Sequence, residues 1–209
     1  MPNPWLSVPL AEYEEHMGSS EVAQLGALSD LLAEVLARCR PPSLALLGIA
    51  GGNGLNRIEA GVTRRVVGVD VNPQYLAAVR ERFCDLPGLE LHCADLAEQT
   101  MAIAPVQLVY AALLFEHAGT GRCLDNALSL VAPDGDFAVV LQLPPRGGGP
   151  AVVSRLPAIA RLGESFSLID PAWLCELLAA RGFDLTAEAS LARPEGKSFW
   201  WGLFRVPAV

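Results

Sequence analysis

The stretch LALLGIAGGNG, Leu44–Gly54, decides how the rest of the chain is read. Its first four residues form an apolar run that fits a short buried strand, and Gly48, Gly51, Gly52 and Gly54 follow it closely. A helical pattern is expected immediately afterwards, over 54–60, so the reading is strand, tight loop, helix start. Without a Cβ at those positions the backbone can take positive φ and approach a ligand closely, while the opening helix turn offers unpaired N–H groups. A small molecule with an anionic end is expected there.

Downstream of this loop, apolar strand-like runs alternate with helical runs, the pattern of a parallel sheet covered on both faces. Strands are expected at 44–47, 65–69, 89–93, 106–111, 137–141, 184–191 and 198–206, and further helices near 73–83, 121–130 and 171–181. Pro73 and Pro171 suit first helical turns, where the missing N–H is not needed, and Gly182 suits the position just past a helix end. Ala132–Asp136 reads as a turn entering a strand. The connection Arg193–Lys197 is too short to hold a helix, so the last two strands are expected to form an antiparallel hairpin. Pro144–Pro150 is a low-complexity loop, and the ambiguous stretch after it, as far as Ser167, is where substrate-binding pieces are expected.

Upstream, residues 1–18 mix prolines, Trp5 and the cluster Glu12–Met17 too irregularly for a core element and read as an arm. A helix is expected from Ser19-Ser20-Glu21 until Pro41-Pro42 stops it, because Val22, Leu25, Leu28, Leu32, Val35 and Leu36 recur at helical spacing. The organisation is therefore a cap over 1–42 and a single domain over 43–209.

The chain has 209 residues and a formal net charge of −8. That length can bury one substantial core, and the acidic balance argues against nucleic acid or an anionic membrane surface as the main partner. No stretch is long and apolar enough for a membrane span and no leader pattern opens the chain, so a cytoplasmic location is expected. Five cysteines without C-x-x-C spacing read as buried reduced thiols. Three scattered histidines, with His92 in mid-strand as a packing or surface residue, give no reason to expect a metal. Trp173, Trp200 and Trp201 read as core or sheet-edge residues.

In an open α/β sheet, ligands bind beyond the carboxyl ends of the strands. Asp70 ends the second strand, 22 positions after Gly48, where a carboxylate can accept from both hydroxyls of a ribose, although it also suits a helix cap before Pro73. Asp95 follows the third strand and can reach an adenine amino group or serve as an ordinary loop carboxylate. The fourth strand runs into Ala111-Ala112-Leu113. Glycine loop, two acidic tips and apolar fourth strand, in that order, resemble the class I S-adenosylmethionine-dependent methyltransferases. The resemblance spans roughly 43–206 and includes the turn near Pro133 and the terminal hairpin. It implies an α/β, Rossmann-like sheet of seven strands in the order 3-2-1-4-5-7-6, strand 7 antiparallel, with helices on both faces.

The resemblance also implies S-adenosylmethionine as cofactor. Gly48, Ile49, Ala50, Gly51, Gly52 and Asn53 would hold its methionine part, Asp70 the ribose, and Val71, Asp95 and Leu96 the adenine. Ala111, Ala112 and Leu113 would lie beneath the methionine and the methyl. Two positions depart from the family pattern: Leu47 stands where an acidic residue is usual, and Ala50 where the second glycine is usual. Gln107 also replaces a frequent aspartate. Residues 10–17 resemble the arm of bacterial methyltransferases of this class, where it would cap the cofactor. The expected activity is methyl transfer to an O, N, S or C nucleophile of a small molecule by a monomer or homodimer. His117, His16 and Tyr13 are the candidates for proton removal, against bland roles as a helix cap and a solvated arm. The alternatives are a Rossmann-type NAD(P)-dependent oxidoreductase and a non-catalytic cofactor-binding protein.

Overall fold

The computed structural model describes residues 3–145, 151–152, 154–192 and 197–206. Its strands are β1 (Ser43–Leu47), β2 (Arg65–Asp70), β3 (Leu89–Cys93), β4 (Val106–Ala112), β5 (Val131–Gln142), β6 (Asp184–Leu191) and β7 (Phe199–Arg205). They form one seven-stranded sheet in the order β3-β2-β1-β4-β5-β7-β6. The pairs from β3 across to β5 are parallel, and β7 runs antiparallel to both β5 and β6. That is the expected topology, terminal hairpin included.

Side-chain alternation along the central strands feeds two cores. Ala45, Leu47, Val67, Val69, Val109 and Ala111 point to one face, where α5 (Arg122–Ser129) and α7 (Pro171–Ala179) bring Leu124, Ala127, Leu174 and Leu178. Leu44, Leu46, Val66, Leu108 and Tyr110 point to the other, against Leu28, Leu32 and Val35 of α2 (Gln24–Cys39) and Leu76 and Val79 of α3 (Pro73–Arg82). Truncating one of these buried leucines to alanine costs about 2–5 kcal/mol.

Four features differ from the sequence reading. Residues 54–60 do not form an α-helix but a single 3-10 turn, Leu55–Arg57. Only Leu55 of that turn is buried, so there is no apolar stripe to dock a longer helix. The turn near Pro133 is absorbed into β5 as a bulge: Val106 pairs with Val131 but Leu108 with Asp136, and Asp134 takes φ 60. The N-terminal arm is ordered, with a 3-10 turn at Pro4–Ser7 and α1 at Leu10–Gly18, and Val8 and Met17 are buried. The long helix starts at Gln24 rather than near Ser19, because Ala23 at φ 48 breaks the chain between α1 and α2.

Within the ambiguous stretch lies α6, Pro157–Leu162. Residues 146–150 of the low-complexity loop and 193–196 of the hairpin connection lie outside the described residues. Of the cysteines, only Cys123 is buried; Cys84 and Cys93 are exposed, which corrects the expectation of buried thiols. Trp200 and Trp201 are buried, whereas Trp173 is 45% exposed.

Candidate functional site

A cavity of about 750 Å³ opens over the carboxyl ends of β1, β2, β3, β4 and β5. Its floor is made by the strand tips and its roof by the N-terminal segment. Gly48, Asp70, Val71, Asp95, Leu96, Ala112 and Leu113 all line it.

The β1 tip is held to the β2 tip by Asp70. Its Oδ2 accepts from Ala50 N–H at 2.8 Å and its Oδ1 from Asn72 N–H at 2.9 Å. Burial raises the Asp70 carboxyl above its ordinary range, and the N–H donors of Asn72, Ala50 and Val71 oppose that rise. Gly48 has φ 70, Gly52 φ 83 and Gly54 φ 89, and Ala50 adopts φ 46, a left-handed conformation unusual for a residue with a Cβ. Asn72 caps α3 through its side chain, which accepts from Gln74 N–H at 2.9 Å.

The roof is tied down by hydrogen bonds. Asn3 Nδ2 donates to Asp95 Oδ2 at 2.7 Å, Asn72 Nδ2 to the Trp5 carbonyl at 2.9 Å, and the Tyr75 hydroxyl to the Val8 carbonyl at 2.9 Å. Arg82 bonds both Glu14 on α1 and the Gly51 carbonyl, fixing α1 to the glycine loop.

Of the candidate bases, His117 lies on the short helix α4, Phe115–Ala118, at the β4 exit. Its ring meets Trp5 and Phe166 edge-on, each with centroids 4.9 Å apart. Its Nδ1 is buried and has no hydrogen-bond partner among the described residues, and burial lowers its pKa to about 4. Neighbouring Glu116 is 1% exposed, with Oε1 accepting from Gln142 N–H at 2.8 Å and Oε2 without a partner among the described residues. Burial raises its pKa to about 7. Tyr13 lines the cavity and packs on Trp5, and burial, then the charges of Asp70 and Glu14, raise its pKa strongly. His16 also lines the cavity, and burial lowers its pKa.

The structure does not gather every expected position. Ile49 and Ala111 are buried in the two cores. Gly51, Gly52 and Asn53 surround a separate hollow of about 240 Å³ with Glu14, Arg82 and Phe83. Leu47, where an acid is usual, is likewise a core residue at 2% exposure. Conversely, Asn3, Trp5, Gln24, Gln142, Phe166 and Lys197 line the cavity without having been singled out. Two had a signal in the sequence: Gln142 is a polar residue ending an apolar strand, and Lys197 is the only lysine of the chain. His92 is half-exposed beside Glu90. Among the described residues no group of His, Cys, Asp or Glu is placed to hold a metal ion, and no helix is long and apolar enough to cross a membrane.

This sheet order, with its antiparallel seventh strand, is that of the class I S-adenosylmethionine-dependent methyltransferase fold, and the cavity lies at the tips of β1, β2 and β4. Residues 46–135, from the β1 end to the β5 bulge, match the family model described as a methyltransferase domain. Among solved structures the chain is similar to the N-methyltransferase NodS from Bradyrhizobium japonicum WM9 in complex with S-adenosyl-L-homocysteine, at TM-score 0.73 and 14% identity, covering 99% of this chain and 100% of that one. It is also similar to the magnesium protoporphyrin IX methyltransferase ChlM from Synechocystis PCC 6803, at TM-score 0.69 and 12% identity, covering 96% of each chain. A third likeness is to the [4+2]-cyclase SpnF, at TM-score 0.66 and 16% identity over 88% of this chain and 81% of that one. At these identities the likeness is one of fold. No curated protein matches the chain in sequence.

Proposed function

We propose that this protein transfers the methyl group of S-adenosylmethionine to a nucleophile of a small molecule. The observation that carries the proposal is the pair of carboxylate tips, Asp70 and Asp95, lining the cavity together with Gly48 and the apolar residues Ala112 and Leu113. Backbone N–H groups bond both Asp70 oxygens and leave the carboxylate lone-pair capacity for a ribose hydroxyl. Asp95 keeps capacity for an adenine amino group beside its bonds from Asn3 and Ala97. Gly48 takes φ +70, a conformation that residues with a Cβ rarely adopt, so glycine there leaves the backbone open to the cofactor's methionine end. Solved relatives of the same fold, NodS and ChlM among them, hold S-adenosylhomocysteine.

The bound sulfonium supplies a methyl carbon that is already electrophilic. What the chain contributes is alignment and exclusion of water: Ala112 and Leu113 set the floor, and Trp5, Tyr13 and Phe166 close the roof. His117, neutral at pH 7, is a weak base and serves best to orient an acceptor by a hydrogen bond. Burial and the nearby Lys197 charge lower the His16 pKa as well, so it too serves best as a hydrogen-bonding partner. Calorimetry with S-adenosylmethionine and S-adenosylhomocysteine tests the proposal, and absence of binding of either at millimolar concentration would sink it. A second reading, cofactor binding in the service of another reaction, is favoured by the [4+2]-cyclase that shares the fold. Cofactor binding with no labelled methyl passed to any member of a broad metabolite panel would support it.

A further inference from the structure

The end of the cavity beyond β5 has a different electrostatic character from the strand tips of β2 and β3. Lys197 at the entry to β7, His16 on α1, Gln24 at the start of α2 and Gln142 at the end of β5 meet there. Gln24 Nε2 donates to Gln142 Oε1 at 3.3 Å, and Gln142 Nε2 to the Ala151 carbonyl at 2.8 Å. The Lys197 ammonium donates to that same carbonyl. Among the described residues each amide nitrogen keeps a second N–H, and the ammonium keeps two.

Lys197 is half-buried, and among the described residues it forms no ion pair. The carboxylates that line the cavity are Asp70, at the end of β2, and Asp95 and Glu98, after β3. An ammonium withdrawn from water without a counter-charge is costly unless a ligand supplies one. The lining of the cavity also includes the apolar side chains of Met17, Leu28, Ile159 and Leu162.

We propose that this end of the cavity is a carboxylate subsite for the methyl acceptor, with Lys197 as the ion-pair anchor and Gln24, Gln142 and His16 as neutral hydrogen-bonding partners. The acceptor is then an amphipathic acid, an apolar body ending in a carboxylate, and this assignment rests on the cofactor occupying the other half of the cavity. One full positive charge among neutral partners suits a single negative charge better than the double charge of a phosphate. Burial and the nearby Lys197 charge both hold His16 neutral, which keeps the count at one.

The test uses matched probes, phenylacetate with phenylacetamide and hexanoate with hexanamide, titrated into the protein with and without S-adenosylhomocysteine. Because Lys197 is the only lysine, carbon-13 lysine labelling gives one side-chain signal to follow by NMR. Each acid should shift that signal and bind at least about tenfold more tightly than its amide, as expected for a charge-assisted hydrogen bond. Lys197→Met should abolish the preference and leave S-adenosylhomocysteine affinity unchanged, while Lys197→Arg should keep the preference. Equal binding of acid and amide to the unaltered protein, or a preference that survives Lys197→Met, overturns the subsite. Failure of S-adenosylhomocysteine to bind overturns the cofactor reading instead, and the cofactor-free titration still decides the subsite.

Discussion

Glu116 and His117 are adjacent, both buried, and titrate in opposite senses, which makes a sharp prediction about stability against pH. The Glu116 carboxyl moves from 4.5 to about 7 on folding because burial penalises its charged form. Between those values the unfolded chain has released the proton and the folded chain holds it, so stability falls as pH rises. The loss is complete above about pH 7 and, at about 1.4 kcal/mol per pH unit, amounts to about 3 kcal/mol. His117 moves from 6.5 down to about 4. In that window only the unfolded chain takes up the proton, so stability rises with pH by a similar amount, fully regained above 6.5. The two slopes nearly cancel between pH 4.5 and 6.5. Glu116→Gln retains an acceptor for Gln142 N–H and removes one slope. Relative to the unaltered protein it should therefore gain about 3 kcal/mol between pH 4.5 and 7. His117→Phe keeps the ring contacts with Trp5 and Phe166 and should show the mirror image, stabilised near pH 4 and level above 6.5. Urea unfolding of the three proteins at half-unit pH steps measures both curves. A Glu116→Gln difference that stays constant to within about 1 kcal/mol across the window would refute the burial argument.

Three further outcomes are expected. Gly52→Ala should lose at least about 2 kcal/mol in urea melts, because the new Cβ would sit 2.6 Å from the Phe83 ring at φ +83; Gly119→Ala, at φ +74 with no atom within 4 Å, should lose only about 1 kcal/mol. Asp70→Asn should weaken S-adenosylhomocysteine binding by at least about tenfold in calorimetry, since the amide cannot accept from two backbone N–H groups and two hydroxyls together. Tyr75→Phe, which removes the bond to the Val8 carbonyl, should speed amide hydrogen exchange over residues 3–9 about three- to tenfold by lowering the cost of lifting the roof.

The sheet and one half of the site were legible in the sequence for local reasons. Strands β1, β2 and β4 are near-continuous apolar runs because both faces are covered, and Gly48 and Asp70 mark where two of them stop. The 3-10 turn at Leu55–Arg57 was misread because a glycine loop suggests a helix start, whereas the apolar stripe that a helix needs is missing there. The β5 bulge was hidden because Pro133, Asp134 and Gly135 carry turn chemistry whether or not pairing continues beside them. The N-terminal roof was opaque because its anchors, Asp95, Asn72 and Tyr75, stand 92, 67 and 67 positions away. Lys197, His16, Gln24 and Gln142 likewise meet only through tertiary structure, and no spacing rule links four residues on four elements.

The way the roof is tied has a consequence for how this segment can vary. Two of its three anchors grip main-chain oxygens, those of Trp5 and Val8, so on the roof side they read position along the chain rather than residue identity. Substitutions at residues 6 and 7 should pass unnoticed, because Leu6 is 47% exposed and neither residue supplies an anchor. Removing or adding a single residue between Trp5 and Val8 would instead put both oxygens out of step with Asn72 and Tyr75. The segment tolerates changes of spelling but not of length.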